Sequence, residues 1–121
     1  MKLSQLITRR NKGKAAESLA CHHLTENGLR LIERNFHSRS GEIDLIMQHE
    51  NTLVFIEVRY RKNNDFGGAK ASVTPAKQQK IKKTALYYMQ KKGREFYARF
   101  DVLAISGEDK SLTYEWIQNA F

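Results

Sequence analysis

An α/β domain is the fold class this sequence predicts: a mixed β-sheet flanked by helices, with its elements in the order α-β-β-β-α-β-β. Three observations carry that expectation. Two segments with apolar residues at helical spacing are each closed by a glycine, at Gly28 and Gly93. The segments between and after them alternate apolar and polar residues and are rich in β-branched and aromatic side chains. The polar break His49-Glu50-Asn51 separates two of these, which makes a short hairpin the simplest connection. The chain has 121 residues, the length of one ordinary domain, so 1–121 is taken as a single domain with 1–10 as a flexible N-terminal segment.

The first helix is expected from about Asn11 to Asn27, with Ala16, Leu19, Ala20, His23 and Leu24 facing inward. A strand follows from Leu29 to Phe36, and His37 to Gly41 reads as a turn. In the strand Glu42–Gln48, strict alternation sets Ile43, Leu45 and Met47 against Glu42, Asp44 and Ile46. In the strand Thr52–Arg61 it sets Leu53, Phe55, Glu57, Arg59 and Arg61 against Val54, Ile56, Val58 and Tyr60. Lys62–Val73 is polar, contains Gly67-Gly68 and reads as a flexible loop. Thr74-Pro75 then pairs an N-cap with proline at the first helical position, opening a helix that runs to about Lys92. Ile81, Ala85, Tyr88 and Met89 point inward on it, while Lys77, Lys80, Lys83, Lys91 and Lys92 are expected mostly in solvent. Phe96–Ile105 and Leu112–Ile117 complete the set as strands.

Charge points to a partner. The chain carries 21 Lys and Arg against 13 Asp and Glu, a net +8. The excess is concentrated in residues 1–30 and 61–95, whereas residues 31–60 hold 5 acids against 3 bases. Two basic flanks around an acidic centre suit a polyanion-binding surface with a carboxylate site inside it. The lone Cys21 fits a reducing compartment, and no apolar run approaches the ~20 residues that span a bilayer. The expectation is a cytoplasmic protein with no membrane partner.

The chemistry centres on Asp44 and Glu57. An acid on the same strand face as Leu53 and Phe55 breaks the local pattern, and such breaks tend to mark function. Two carboxylates on adjacent strands are hard oxygen ligands suited to Mg²⁺ or Mn²⁺, whose bound water, with its pKa lowered, attacks a phosphodiester. The same spacing also fits a cross-strand ion pair with Arg59 or Arg61. Register decides between geometries: a loop with an even number of residues centred on Glu50 and Asn51 sets Asp44 directly opposite Glu57 on one face. A three-residue loop sets them on opposite faces unless a bulge intervenes. Glu42 is either a third ligand or an acid capping the turn. Glu17 lies on or beside the inward stripe of the first helix, within reach of the sheet or else solvated beside Lys14. Arg59, Arg61, Lys62, Lys70, Lys77 and Lys80 surround the acidic strand and the start of the second helix, an arrangement suited to phosphate. His22 and His23 are adjacent and diverge by about 100° on a helix, Cys21 has no cysteine partner, and zinc is disfavoured. Neither nucleotide-loop pattern nor a Ser-His-Asp arrangement can be argued.

Gly41-Glu42-Ile43-Asp44-Leu45-Ile46 followed by Leu53-Val54-Phe55-Ile56-Glu57-Val58-Arg59-Tyr60-Arg61 resembles the YraN family of small bacterial proteins. Val73-Thr74-Pro75-Ala76-Lys77-Gln78 and Arg99-Phe100-Asp101-Val102 extend the likeness, which covers about Gly13 to Trp116. That family looks like the restriction-endonuclease-like superfamily and is similar to archaeal Holliday-junction resolvases. The resemblance implies a Mg²⁺-dependent nuclease core of an Asp, a Glu and a Lys two residues after the Glu. Asp44 and Glu57 match the metal-binding acids, and Glu17 looks like the extra helix-borne acid of resolvase-type members. Arg59 stands where the motif has lysine; arginine stays protonated and cannot act as a base, although it stabilises phosphate charge. Lys77, or Gln78 beside it, is then placed to supply the missing group from the helix. The expectation is a Mg²⁺- or Mn²⁺-dependent endonuclease for branched or single-stranded DNA, with DNA favoured over RNA. Asp44, Glu57 and Glu17 are its metal-site acids, Arg59 and Arg61 stabilise phosphate charge, and Lys62, Lys77, Gln78 and Lys80 join them in contacting nucleic acid. Resolvase-like relatives imply a homodimer where junctions are cut symmetrically. The alternative is a nucleic-acid-binding module that keeps the fold without turnover.

Overall fold

Helix α1 spans Arg9–Glu26, and Asn27 and Gly28 close it by donating their N–H groups to the carbonyls of Leu24 and Thr25. The computed structural model describes residues 9–62, 73–93 and 96–121. The helix thus begins at Arg9, two residues before the expected Asn11, and residues 1–8 of the expected N-terminal segment lie outside the described residues. Strands β1 (Arg30–Ser38), β2 (Gly41–His49) and β3 (Thr52–Arg61) follow, then helix α2 (Pro75–Lys92), strand β4 (Tyr97–Ser106), a short 3-10 turn and strand β5 (Thr113–Ile117). The five strands form one sheet in chain order, antiparallel except for the parallel pair β3–β4. Parallel neighbours need a crossover connection, and α2 lies within the one that joins them. The α/β class and the order of elements are as the sequence predicts.

Local chemistry sets the joints. Ser38 pairs with Gly41, so the first turn shrinks to Arg39-Ser40, and the Ser40 N–H is tied to the Ser38 hydroxyl at 3.1 Å. The β2–β3 hairpin closes at His49 and Thr52 through Glu50 and Asn51, with Glu50 at φ 56°, the sign that two-residue hairpin turns require at that position. Thr74 caps α2 by accepting the Lys77 N–H at 3.2 Å, and Gly93, at φ 73°, donates to the carbonyls of Met89 and Gln90. Val73, expected at the end of a flexible loop, is buried in the core beneath α2; residues 63–72 of that loop lie outside the described residues.

The sheet divides the core in two. On the α1 side Ala16, Ala20 and Leu24 meet Leu45, Met47, Val54, Ile56, Leu103 and Ile105. On the α2 side Ile81, Ala85 and Tyr88 meet Phe36, Ile46, Leu53, Phe55 and Val102. The faces of β3 follow the predicted alternation, but those of β2 do not. Ile43 joins the α2-side core together with Ile46, while Leu45 and Met47 join the α1 side. The expected grouping of Ile43 with Leu45 and Met47 therefore fails, because strict alternation breaks beside Asp44.

Asp101 fixes the far end of the sheet. Its carboxylate is fully buried and accepts the Arg99 Nε–H on both oxygens at 3.1 Å, the Trp116 Nε1–H at 2.9 Å and the Asn119 N–H at 3.1 Å. Arg99 in turn lies 2.8 Å from His49 Nδ1 at the hairpin end. A buried charge with four donor contacts is stable only as a set, since removing one member strands the others without water. Asp101→Ala is therefore expected to lower stability by about 3–5 kcal/mol, read as a lower urea midpoint. A change below about 1 kcal/mol would mean that Arg99 and Trp116 find other acceptors.

Candidate active site

The β2–β3 ladder ends at Leu45 and Ile56, and the same register sets Asp44 opposite Glu57 one step further on. The hairpin thus takes the two-residue alternative left open by the sequence. Beyond the last pair the Asp44 carboxylate accepts the Val58 N–H at 2.8 Å. Its side chain opens into a cavity of about 290 Å³ on the α1 side, with Glu17, Val58 and Tyr60 among its walls. Glu57 keeps the alternation of Leu53 and Phe55 and is turned toward α2. The two acids are adjacent across the strands and close enough for the Glu57 charge to act on Asp44, with Asp44 lining the α1-side cavity and Glu57 meeting Lys77 of α2.

Glu57 is answered from α2. Lys77 Nζ lies 2.7 Å from Glu57 Oε1, while Arg59 Nε lies 3.8 Å from the same oxygen. The Glu57 side chain is only 5% exposed and that of Lys77 40%, so this ion pair is largely removed from water. Lys77 was expected mostly in solvent. Its position in the first turn of α2, whose cap is fixed by Thr74 and Pro75, directs it onto the sheet instead.

Among the described residues no cation forms an ion pair with Asp44 as Lys77 does with Glu57. The Asp44 pKa rises from the ordinary 3.8 to about 8, first because burial disfavours the charged form and then because the Glu57 charge repels it. The Glu17 charge raises it further, whereas the Val58 N–H and the Lys77 ammonium oppose the shift. Lys77 and Arg59 both lie on Glu57, so the position beside Asp44 and Glu17 is the one that a hard divalent cation would suit electrostatically.

The remaining site residues separate into those at the acid pair and those away from it. Glu17 is buried on α1 and lines the Asp44 cavity, yet among the described residues no three His, Cys, Asp or Glu side chains form a group able to hold a metal. Mg²⁺ commonly uses only one or two carboxylates and completes its shell with water and phosphate, so Asp44 and Glu57 still fit it chemically. Gln78 Nε2 donates to the Val73 carbonyl at 3.0 Å, which commits its amide to shaping the start of α2. Lys62 Nζ pairs with Glu108 Oε1 at 2.9 Å, and Arg61 is exposed at the end of β3. Lys77 and Lys80 share a second cavity, of about 250 Å³, with Gly41 and Glu42. Glu42 itself is exposed and pairs with His37 at 3.3 Å across the Arg39-Ser40 turn, the turn-capping alternative for that acid. Sequence reasoning passed over Asp101, although an acid followed by Val102-Leu103-Ala104-Ile105 breaks the strand pattern just as Glu57 does.

Fold and site define a small α/β protein with a mixed five-stranded sheet and, at its centre, two adjacent acids, the buried Glu57 and the half-buried Asp44, with a helix-borne lysine on Glu57. The chain belongs to the uncharacterised protein family UPF0102, whose model matches residues 16–105; this is the YraN family of the sequence resemblance. It is 54% identical to a UPF0102 protein of Psychromonas ingrahamii over 100% of this chain and 98% of that protein. It is 49% identical to one from Nitrosococcus oceani over 94% of each chain, and 52% identical to one from Legionella pneumophila over 91% and 93%. Among the described residues no helix is long and apolar enough to cross a membrane.

The Asp44 shift has a thermodynamic consequence. Between about pH 4 and pH 8 the folded chain holds a proton on Asp44 that the unfolded chain has released. The stability this group contributes is complete below about pH 4 and falls as pH rises toward 8, by on the order of 1 kcal/mol per pH unit. In chelator, the unfolding free energy of the native protein relative to Asp44→Asn is expected to decline from pH 5 to pH 8. Parallel pH profiles for the two proteins would show that the Asp44 carboxyl is not held protonated by the fold.

Proposed function

We propose that this protein is a metal-dependent endonuclease with a restriction-endonuclease-like core, acting on branched or single-stranded DNA. The observation behind this reading is the meeting of three chain segments at one point. Asp44 on β2 is a half-buried acid and Glu57 on β3 a buried one, and Lys77 of α2 reaches Glu57 at 2.7 Å. In this reading Lys77 takes the place of the strand lysine that Arg59 replaces, as a motif member moved to a helix.

Asp44 and Glu57 are the residues that would hold Mg²⁺ or Mn²⁺. When bound, the ion supplies a water of lowered pKa and offsets charge on the leaving oxygen. Glu57 fixes the Lys77 ammonium, and Lys77 in turn faces the incoming phosphate as a cation at the site of charge development. Arg59, permanently protonated, adds to that field and cannot accept the proton of an attacking water. Arg61 and Lys80 draw the phosphodiester backbone toward the acids. Glu17 borders the same cavity and adds negative charge beside Asp44, which raises the cavity's demand for a cation. Symmetric cutting of a four-way junction takes two such sites, hence a homodimer on that substrate.

A nucleic-acid-binding module without turnover is the second reading, favoured by one observation: no lysine stands two residues after Glu57. Cleavage of labelled single-stranded, duplex and four-way-junction DNA in Mn²⁺ separates the two. The native protein is expected to cut at least one substrate and to be silenced by chelator. Asp44→Asn is expected to abolish cutting, and Lys77→Ala to slow it by about 10²–10³-fold. Full activity in Lys77→Ala removes the lysine from this mechanism, and no cleavage by the native protein favours the binding module.

A further inference from the structure

We propose that the flank of α2 facing β1 holds a single nucleic-acid strand. It would lead from the acid pair past Lys80, Lys83 and Tyr87 to a cavity between Arg30 and Lys92. This rests on the reading of a phosphodiester substrate at Asp44 and Glu57, and adds to it a strand path and a base-holding site. At about 100° per residue, Lys80, Lys83, Tyr87 and Lys91 fall within an arc of roughly 80° and extend about 16 Å along the helix. Packing confirms which flank this is. The Lys80 stem lies against Gly41, and the Tyr87 ring sits 6.1 Å from that of Phe36 on β1.

Tyr87 is the unusual member. It remains 49% exposed although Phe36 backs it, whereas its neighbour Tyr88 is 2% exposed and belongs to the core. A ring braced on one side and open to water on the other, between lysines, is the pairing of stacking platform and phosphate contact that single strands use. Duplex bases are already stacked on each other and cannot use such a ring. The 18 residues of α2 include no acid, so no carboxylate of the helix opposes a phosphate backbone along this flank.

The cavities at the two ends of the flank give the path a direction. One, of about 250 Å³, contains Lys77 and Lys80 beside the acid pair. The other, of about 370 Å³, lies where the end of α2 meets the start of β3. Ile32, Leu53, Tyr88 and Phe96 give it an apolar lining, and Arg30 and Lys92 add two cations. Apolar surface with cations beside it suits a base and its phosphate. Gln48, on the wall of this cavity, is four residues along β2 from Asp44, or about 14 Å. The held base would thus lie about four nucleotides from the cleaved bond at duplex rise, and fewer in an extended strand.

The test is fluorescence anisotropy in EDTA, where no cleavage is read, with a labelled single strand of about 15 nucleotides and the matching duplex. The native protein is expected to prefer the single strand. Tyr87→Ala should weaken single-strand binding at least about fivefold while changing duplex binding less than about twofold, and Tyr87→Phe should retain native affinity. Lys83→Gln should lower the salt slope of single-strand binding by about 0.7. Circular dichroism on each variant checks that the fold persists, as expected for side chains this exposed. Unchanged single-strand affinity in Tyr87→Ala, equal losses on strand and duplex, or no binding by the native protein overturns the proposal. Because metal is absent throughout, a protein that binds through Tyr87 but never cuts would sink the nuclease reading alone, and one that cuts normally without Tyr87 would sink this one alone.

Discussion

Two carboxylates side by side in a sheet, Glu57 buried and Asp44 half-buried, set the terms for the rest of this structure. A buried acid is tolerated when hydrogen bonds, a counter-charge or a proton compensates for lost water. Glu57 is compensated by Lys77, which requires α2 to begin where its first turn overlies β3. Asp44 receives one backbone N–H and otherwise keeps a proton. The unequal treatment of adjacent acids leaves the site short of one positive charge. A cation that satisfied Asp44 would therefore displace a proton, coupling its affinity to pH.

The two faces of the sheet divide the work. The α1 side brings Glu17 and a recess up to Asp44, while the α2 side brings Lys77 onto Glu57 and sets Lys80 beside Lys77. The two acids thus meet different helices while their charges still act on each other. Rigidity at the other end complements this. The buried set of Asp101, Arg99, Trp116 and the Asn119 backbone locks β5 and the chain after it onto β4, and Arg99 reaches across to His49 at the hairpin. The central strand β3 thereby runs between the acid pair at one end and the fully hydrogen-bonded Asp101 set at the other.

Charge is also apportioned by position. The lysines of α2 form two groups, one turned onto the sheet and one lining the outer flank, and their functional meaning differs accordingly. Lys77 is committed to a carboxylate, whereas Lys80 and Lys83 face the surroundings. Lys62, equally basic in sequence, is paired with Glu108 and contributes less field to a substrate. Net charge alone does not distinguish these cases.

The sequence by itself determined the elements whose causes are local. Thr74-Pro75 and Gly93 bound α2 to the residue, and the polar break at His49-Glu50-Asn51 placed a hairpin between β2 and β3 while leaving its register open. It also marked Glu57 as out of pattern, because an acid among Leu53 and Phe55 conflicts with a two-residue period. Tertiary structure decided whatever depends on distant segments. That Asp44 lines the α1-side cavity while Glu57 meets α2 leaves no trace in an alternating string of residues. The partnership of Lys77 with Glu57 followed from how α2 lies on the sheet, since nothing in the spacing of six lysines tells which one is turned inward. Glu17 came beside Asp44, and Asp101 gathered its donors from three places along the chain. Periodicity reports the face of an element, but a site is made where faces of separate elements meet, and that distance is fixed only by packing.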